Sequence, residues 1–148
     1  MKSRIYHTES EDQTIALGEK LATELPAKAV VLLIGQLGAG KTTLAKGIVK
    51  GLGAARPDDV SSPTFTLIHE YSPSVYHIDL YRLDTAAQVA TLGLDEIFDS
   101  RAVVLIEWGE RFPELLPGDR IEIRLRADGE NSREIEVGST MELSLPPN

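Results

Sequence analysis

The residues best suited to chemistry lie between positions 35 and 42, where the chain reads Gly-Gln-Leu-Gly-Ala-Gly-Lys-Thr. They match the phosphate-binding pattern G-x-x-x-x-G-K-[ST] at every position. The glycines allow a tight turn that points successive backbone N–H groups at an anion. Lys41 supplies a point charge for the outer phosphates, and the hydroxyl of Thr42 is a ligand for Mg²⁺. This stretch predicts a site for a nucleoside triphosphate and Mg²⁺.

The flanking segments are those that such a loop requires. Residues 30–34 form an unbroken apolar run, which is typical of a strand buried on both faces. After the loop, Leu44, Ile48 and Leu52 recur at helical spacing, and Gly53 is placed to end the helix. The start of that helix would add its dipole and its unpaired N–H groups to the phosphate site. We therefore expect the phosphates to be bound at Leu37, Gly38, Ala39, Gly40, Lys41, Thr42 and Thr43.

A phosphate loop needs a second acidic group to hold Mg²⁺ and position water. Glu107 is the best candidate, because it follows five apolar residues and ligands bind beyond the carboxyl ends of parallel strands. Glu110 is a rival carboxylate. Asp79 stands between Ile78 and Leu80 in a predicted strand, where a charge is costly unless it is paired, metal-linked or facing solvent. Both positions are therefore candidates for function, and the alternatives are a surface carboxylate at a strand end for Glu107 and a partly polar strand face for Asp79.

Three other features are weaker indicators. Ser62 and Thr64 lie in a loop of the kind that carries a hydroxyl for Mg²⁺ or the γ-phosphate in nucleotide switches. His77 and Asp79 are discounted as a metal site, because no third ligand has the required spacing. Trp108 is equally compatible with a place near the nucleotide and with the core. Core packing is favoured over base stacking for the strand aromatics, which are Phe65, Tyr71, Tyr76 and Tyr81.

The remaining pattern predicts one α/β domain over residues 1–148, because the sequence shows no repeat, low-complexity tract or linker. A helix is expected after the candidate caps Thr8, Ser10 and Asp12, ending at Pro26, and another begins after Thr85 and runs through Leu92. Strand alternation would place His77, Asp79 and Tyr81 on one face. Turns at residues 72–74 and 128–129 predict antiparallel hairpins within the sheet. The predicted strands cover residues 4–7, 30–34, 65–71, 75–83, 102–106, 120–126, 135–137 and 141–145.

Composition restricts the partners. The chain has 148 residues, 42% of them apolar and 26% charged, which suits one globular domain without a membrane span. Its net charge of −8 argues against stand-alone nucleic-acid binding and suits docking to a basic protein. No cysteine is present, which fits a cytoplasmic protein.

Beyond the phosphate loop, the chain carries Ser-Pro-Thr-Phe-Thr at 62–66, His-Ile-Asp-Leu-Tyr-Arg-Leu at 77–83 and Glu-Trp at 107–108. In this order, these stretches resemble the TsaE family, small bacterial ATPases of tRNA threonylcarbamoyladenosine synthesis. The resemblance extends from about residue 11 to about residue 137. It implies a compact P-loop NTPase domain whose central sheet mixes parallel and antiparallel strands and is flanked by helices.

The resemblance also implies roles for particular residues. Lys41 would hold the phosphates of ATP, Thr42 and Glu107 would hold Mg²⁺ directly or through water, and Asp79 would support hydrolysis. Ser62 and Thr64 would sense the γ-phosphate. Three further positions would border the nucleotide, namely Glu11, Thr14 and Arg133.

For the whole protein, the resemblance implies a weakly hydrolysing ATPase that supports turnover of a TsaD–TsaB assembly. That assembly transfers a threonylcarbamoyl group to adenosine 37 of tRNA, so tRNA would be met only through the complex. Two alternatives are a small-molecule kinase and a GTP-driven switch. A kinase normally carries an arginine-bearing lid, and a GTP switch an Asn-Lys-x-Asp stretch; the sequence has neither an Arg-rich insertion between its later strands nor that stretch.

Overall fold

The computed structural model describes residues 2–64 and 66–147. Phe65, predicted to begin a strand and to pack in the core, lies outside these residues. The seven strands are β1 (Lys2–Thr8), β2 (Ala29–Ile34), β3 (Ile68–Ser72), β4 (Val75–Asp79), β5 (Val103–Glu107), β6 (Ile121–Ala127) and β7 (Arg133–Ser139). The helices are α1 (Glu11–Glu24), α2 (Lys41–Gly51), α3 (Ala86–Ala90) and α4 (Leu94–Asp99), with 3-10 turns at Pro57–Asp59, Gly109–Arg111 and Pro113–Leu115.

All seven strands form one mixed sheet in the order β1-β7-β6-β2-β5-β4-β3. The four central strands are parallel, since β2 pairs in parallel with both β5 and β6, and β4 pairs in parallel with β5. The edges are antiparallel, through β1–β7, β6–β7 and the β3–β4 hairpin. This confirms the predicted fold class, a single α/β domain with a mixed parallel and antiparallel sheet flanked by helices.

The apolar run of β2 is buried on both faces, as predicted. Val31 and Leu33 face a core closed by α1 and α2, whereas Val30 and Leu32 face a second core closed by α3 and α4. The alternation follows from the two-residue period of a strand. β2 is paired with β5 on one side and β6 on the other, and both of its faces are packed. The phosphate loop therefore starts from a well-fixed strand end. Among the described helices, none is long and apolar enough to cross a membrane.

Local capping sets several helix boundaries. Ser10 is the N-cap of α1, and its hydroxyl oxygen accepts a hydrogen bond from the Gln13 N–H at 3.1 Å. Thr85 and Gln88 form a capping box at the start of α3, with the side chain of each accepting from the other's backbone. α3 ends at Ala90, two residues earlier than predicted.

Three predicted strands differ clearly from the structure. β3 begins at Ile68 and not at residue 65, because Leu67 has a left-handed φ of 68° that does not continue an extended strand. β4 ends at Asp79 instead of extending to residue 83, so Tyr81 lies in a turn beyond the strand and not on its face. Residues 141–145 form no strand, because β1 already pairs with the available edge of β7. The segment instead packs apolar side chains on the core of α1 and α2, and the Tyr6 hydroxyl donates to the Pro146 carbonyl at 2.6 Å.

Helices α1 and α2 approach closely at Gly18, and this contact makes a testable prediction. A Cβ at position 18 would lie 2.6 Å from the Leu44 carbonyl oxygen and 2.8 Å from the Ile48 nitrogen, both backbone atoms that cannot rotate away. Gly18→Ala should therefore lower the free energy of unfolding by about 1–3 kcal/mol in urea denaturation. Gly118→Ala is the matched control, because a Cβ there meets nothing within 4 Å. Equal stability of the two variants would contradict the tight helix contact.

Candidate functional site

The phosphate loop joins the end of β2 to the start of α2. Gly38 and Gly40 have φ of 80° and 102°, in the left-handed region where a side chain is strained, so both positions require glycine. Among residues 2–64 and 66–147, no side chain caps the start of α2 at Gly40. The first N–H groups of the helix are therefore open to an anion.

The side chain of Lys41 is buried at the first position of α2, with 4% of its surface exposed. Among the described residues, its ammonium has no hydrogen-bond partner. It lies 3.7 Å from the centroid of the Trp108 ring. Burial lowers the pKa of Lys41, and the nearby carboxylates of Glu107, Glu110 and Asp79 oppose that shift. A buried ammonium without a hydrogen-bond acceptor is suited to an anionic ligand.

A cavity of about 460 Å³ opens over this loop. That volume is within the range of small-molecule sites. It brings together residues from α1, the phosphate loop, the loop before β3, the ends of β4 and β5, and the start of β7. Its lining residues are Glu11, Leu37, Gly38, Gly40, Lys41, Thr42, Thr43, Ser62, Thr64, Asp79, Tyr81, Glu107, Trp108 and Arg133.

Two of the predicted nucleotide-site positions are not on this lining. The side chain of Ala39 is packed in the core, and its N–H donates to the Gln36 carbonyl at 3.0 Å. Thr14 is buried and hydrogen-bonds with Thr8 across 2.7 Å between their hydroxyl oxygens. It lines a smaller adjoining cleft together with Glu11 and Arg133.

Asp79 is 1% exposed and accepts three hydrogen bonds from neighbouring donors. Its Oδ2 accepts from the hydroxyls of Ser62 at 2.9 Å and Thr64 at 3.0 Å. Its Oδ1 accepts from the Tyr81 N–H at 2.8 Å. This carboxylate therefore ties the loop before β3 to the turn after β4, and it keeps both predicted switch hydroxyls at the cavity.

Glu107 ends β5 directly beside Asp79, which is its register partner on β4. The side chain is buried, with 3% of its surface exposed, yet it lines the cavity. Its Oε2 is 2.6 Å from the Nε2 atom of His77, and the imidazole is fully buried. The sequence placed His77 and Asp79 on one face of a strand, but not His77 against Glu107.

The cavity wall includes two aromatic residues that were not among the predicted site residues. Trp108 has a φ of 65°, a strained value for a residue with a side chain, at the point where the chain turns from β5 into a 3-10 turn. Tyr81 packs against it with ring centroids 5.1 Å apart, and 42% of Tyr81 is exposed, so its predicted core role is wrong. The Arg111 guanidinium donates to the Tyr81 carbonyl at 3.0 Å and also to the Leu83 carbonyl, which holds this turn.

Glu11 and Arg133 are far apart in the sequence, and both line the cavity beside the phosphate loop. Glu11 is the first residue of α1, and Arg133 is the first residue of β7. The Nη2 group of Arg133 donates a hydrogen bond to the Gly38 carbonyl oxygen at 3.2 Å, so Arg133 ties the start of β7 to the phosphate loop. A Cβ at Gly40 would lie only 3.3 Å from the Arg133 side chain.

Glu110, the rival acid, does not line this cavity. It lines a separate groove with Gly35, Trp108 and Arg124. Burial raises its pKa, while the charges of Lys41, Arg111 and Arg124 act to lower it. Its position favours Glu107 over Glu110 as the carboxylate of the phosphate cavity.

The donor set at the cavity fits Mg²⁺ held jointly by protein and phosphate. Thr42 and Glu107 both line it, whereas within residues 2–64 and 66–147 no group of three His, Asp or Glu residues could hold a metal alone. Mg²⁺ usually binds through one or two protein oxygens together with phosphates and water. The unpartnered Lys41 ammonium and the uncapped helix start fit the phosphates themselves.

Comparison with known proteins gives a consistent result. The family model described as "Threonylcarbamoyl adenosine biosynthesis protein TsaE" matches residues 8–135. The chain is 40% identical to the tRNA threonylcarbamoyladenosine biosynthesis protein TsaE of Bacillus subtilis, over 97% of this chain and 92% of the relative. It is 42% identical to the protein of the same name from a Nostoc species, over 86% of this chain and 80% of the relative.

A solved structure agrees with the sequence comparisons. The crystal structure of YdiB from Bacillus subtilis superposes with a TM-score of 0.77 at 34% identity, covering 95% of this chain and 87% of that one. The family match spans most of the chain and includes the phosphate loop, Asp79 and Glu107. The chain therefore belongs to the TsaE family of threonylcarbamoyl adenosine biosynthesis proteins.

Proposed function

We propose that residues 1–148 act as a single ATPase domain that binds Mg-ATP, hydrolyses it slowly alone, and supports turnover of a TsaD–TsaB complex. The complex would transfer the threonylcarbamoyl group to adenosine 37 of tRNA, in the cytoplasm. The observation that carries this proposal is the buried Lys41 ammonium, which has no hydrogen-bond partner in the described chain and lies at an uncapped helix start. Membership of the TsaE family supports a role in threonylcarbamoyl adenosine biosynthesis.

The phosphates of ATP would be bound by the loop from Leu37 to Thr43, with Lys41 on the outer phosphates. Thr42 and Glu107 would hold Mg²⁺, which supplies charge neutralisation and orients the phosphates when bound. Glu11 and Arg133 lie where the cavity meets its adjoining cleft, and they would border the rest of the nucleotide.

Hydrolysis needs a group that orients a water molecule for attack on the γ-phosphorus. The water oxygen forms a bond to this phosphorus while the bond from the phosphorus to the β–γ bridging oxygen breaks, which releases ADP and phosphate. We assign this role to Asp79, a carboxylate at the cavity that already holds the Ser62 and Thr64 hydroxyls. The two hydroxyls would report the presence of the γ-phosphate through Asp79. Water orientation would then depend on the same hydrogen-bond network.

Slow hydrolysis by the isolated protein follows from the charges at the cavity. Lys41 and Arg133 are the cations among its lining residues, and Arg133 is already bonded to backbone carbonyls. Transition-state charge on the γ-phosphate is commonly neutralised by a further arginine, supplied in cis or by a partner. We expect the partner complex to supply or organise that missing group.

The test is Mg-ATP hydrolysis by the purified chain, alone and with a TsaD–TsaB pair. We expect slow basal turnover and at least about tenfold stimulation by the pair, given what partner-supplied arginines contribute in related sites. GTP should not replace ATP. Rapid phosphate transfer from ATP to a small metabolite without the pair would overturn the proposal and indicate a kinase.

A further inference from the structure

The buried contact between His77 and Glu107 has no part in the function proposed above. His77 lies on β4 and Glu107 ends β5, and the two side chains share the sheet face that α1 and α2 cover. Their Nε2 and Oε2 atoms are 2.6 Å apart, and neither side chain exposes more than 4% of its surface. His77 itself does not line the phosphate cavity, whereas Glu107 does.

The geometry assigns the direction of this hydrogen bond. An ionised carboxylate only accepts hydrogen bonds, so Nε2 carries the proton and donates it to Oε2. The other ring nitrogen, Nδ1, is buried without a hydrogen-bond partner in the described chain. A proton on Nδ1 would be an unsatisfied buried donor, which is costly, so the ring is held as the Nε2–H tautomer. Within the part of the chain that the structure describes, the imidazole therefore has one hydrogen-bond partner, Glu107.

We propose that His77 is a positioning residue that orients the Glu107 carboxylate toward Mg²⁺. Because the donor engages Oε2, Oε1 would be the oxygen left for Mg²⁺. This inference rests on the proposed function, because it assumes that Glu107 meets the metal. Side chains that hydrogen-bond a ligating carboxylate fix its orientation and typically contribute 10–100-fold to metal affinity.

The neighbouring carboxylate supports a positioning role over simple core packing. Asp79 and Glu107 are register partners on adjacent strands, so two like charges meet at the cavity. Each is held by its own donors, Asp79 by Ser62 and Thr64 and Glu107 by His77. A buried polar pair is weak evidence for a stabilising role, since apolar residues of similar volume often serve as well or better. Its place beside the cavity indicates that orientation of Glu107 is what the pair provides.

The test compares His77→Leu, which removes the donor, with His77→Gln, whose amide N–H can reach the same carboxylate. The readout is nucleotide binding as a function of Mg²⁺ concentration, followed by fluorescence of Trp108, the single tryptophan, which lies over Lys41. We expect His77→Leu to raise the Mg²⁺ concentration at half-saturation by about 10–100-fold, and His77→Gln to remain within about threefold of wild type. Affinity for ADP without Mg²⁺ should change less than about twofold in both.

His69→Leu is the matched control, because His69 is the cross-strand partner of His77 on β3 but contacts Tyr71 instead of Glu107. It should leave the Mg²⁺ dependence unchanged. Equal impairment of His77→Gln and His77→Leu, or an unchanged Mg²⁺ dependence in His77→Leu, would overturn the positioning role.

A double-mutant comparison keeps the test decisive if His77→Leu does not fold. His77→Asn, whose shorter amide does not reach Oε2 of Glu107, should impair the Mg²⁺ dependence when Glu107 is present. In a Glu107→Gln background it should cause no further loss, since its effect runs through Glu107. A loss that adds to that of Glu107→Gln would overturn the inference. Absence of nucleotide binding by the wild-type protein would instead refute the proposed function, so the two failures are distinguishable.

Discussion

Replacing Lys41 with alanine should reduce ATP affinity by roughly 100-fold or more, equivalent to about 3 kcal/mol of binding free energy. The ammonium is buried, and the nearby carboxylates of Glu107, Glu110 and Asp79 favour its charged form. Without it, a polyphosphate would meet acidic side chains at the end of β4 and β5 with no countercharge between them. Isothermal titration calorimetry with Mg-ATP measures the loss directly.

Lys46→Ala is the control for this experiment, because Lys46 lies in the same helix but does not line the cavity. Its ATP affinity should match that of the wild type. Circular dichroism of both variants would show whether the fold is retained. A folded Lys41→Ala variant with wild-type affinity would remove the basis for a phosphate site at this loop.

The sequence predicted the centre of the fold well, and the reason is local. The apolar run of β2, the glycines of the loop and the amphipathic face of α2 are each decided by residues within a few positions of one another. The β3–β4 hairpin was also predicted, because the residue types Ser-Pro-Ser at 72–74 are typical of a turn. Such patterns specify an element without knowledge of the rest of the chain.

The errors occurred where tertiary context decides the structure. Residues 141–145 alternate like a strand, but the edge of β7 is already paired with β1 from the opposite end of the chain. Tyr81 continues the alternation of β4, but Asp79 accepts its N–H and turns the chain toward Trp108. Neither the occupied edge nor the side-chain turn is visible in local periodicity.

The same limit applies to the site. The phosphate loop was identified from its residue types, Glu107 from its place at a strand end, and Asp79 as a charge between apolar residues of a predicted strand. Glu11 and Arg133 came only from family resemblance, because a residue in α1 and one in β7 share a cavity only after the sheet has formed. The bond between His77 and Glu107 depends on β4 and β5 being parallel neighbours, a pairing the sequence does not specify.

Asp79 offers the second large effect, and two substitutions separate its charge from its hydrogen bonds. Asp79→Asn keeps an acceptor for the Tyr81 N–H, and its amide can donate to the Ser62 or Thr64 oxygen. We expect the free energy of unfolding of Asp79→Asn to lie within about 1 kcal/mol of the wild-type value. Its partner-stimulated rate of ATP hydrolysis should nevertheless fall by roughly 100-fold. Urea denaturation and single-turnover hydrolysis measure the two quantities.

Asp79→Ala should differ, because it removes the acceptor for three donors at once. One partly buried backbone N–H, that of Tyr81, loses its partner, while the Ser62 and Thr64 hydroxyls can still bond each other across 2.8 Å. We therefore expect a loss of about 2–4 kcal/mol in unfolding free energy in addition to the loss of turnover. Asp84→Ala, an exposed acid in the same connection, should change neither quantity.

The contrast between the asparagine and alanine variants decides what Asp79 does. If the asparagine variant hydrolyses ATP at the wild-type rate, the charge is dispensable and Asp79 serves only to hold the loop of Ser62 and Thr64. If it binds Mg-ATP normally but does not turn it over, the carboxylate acts in the chemical step itself. Because both variants are compared on the same fold and with the same partner complex, stability cannot account for the second result.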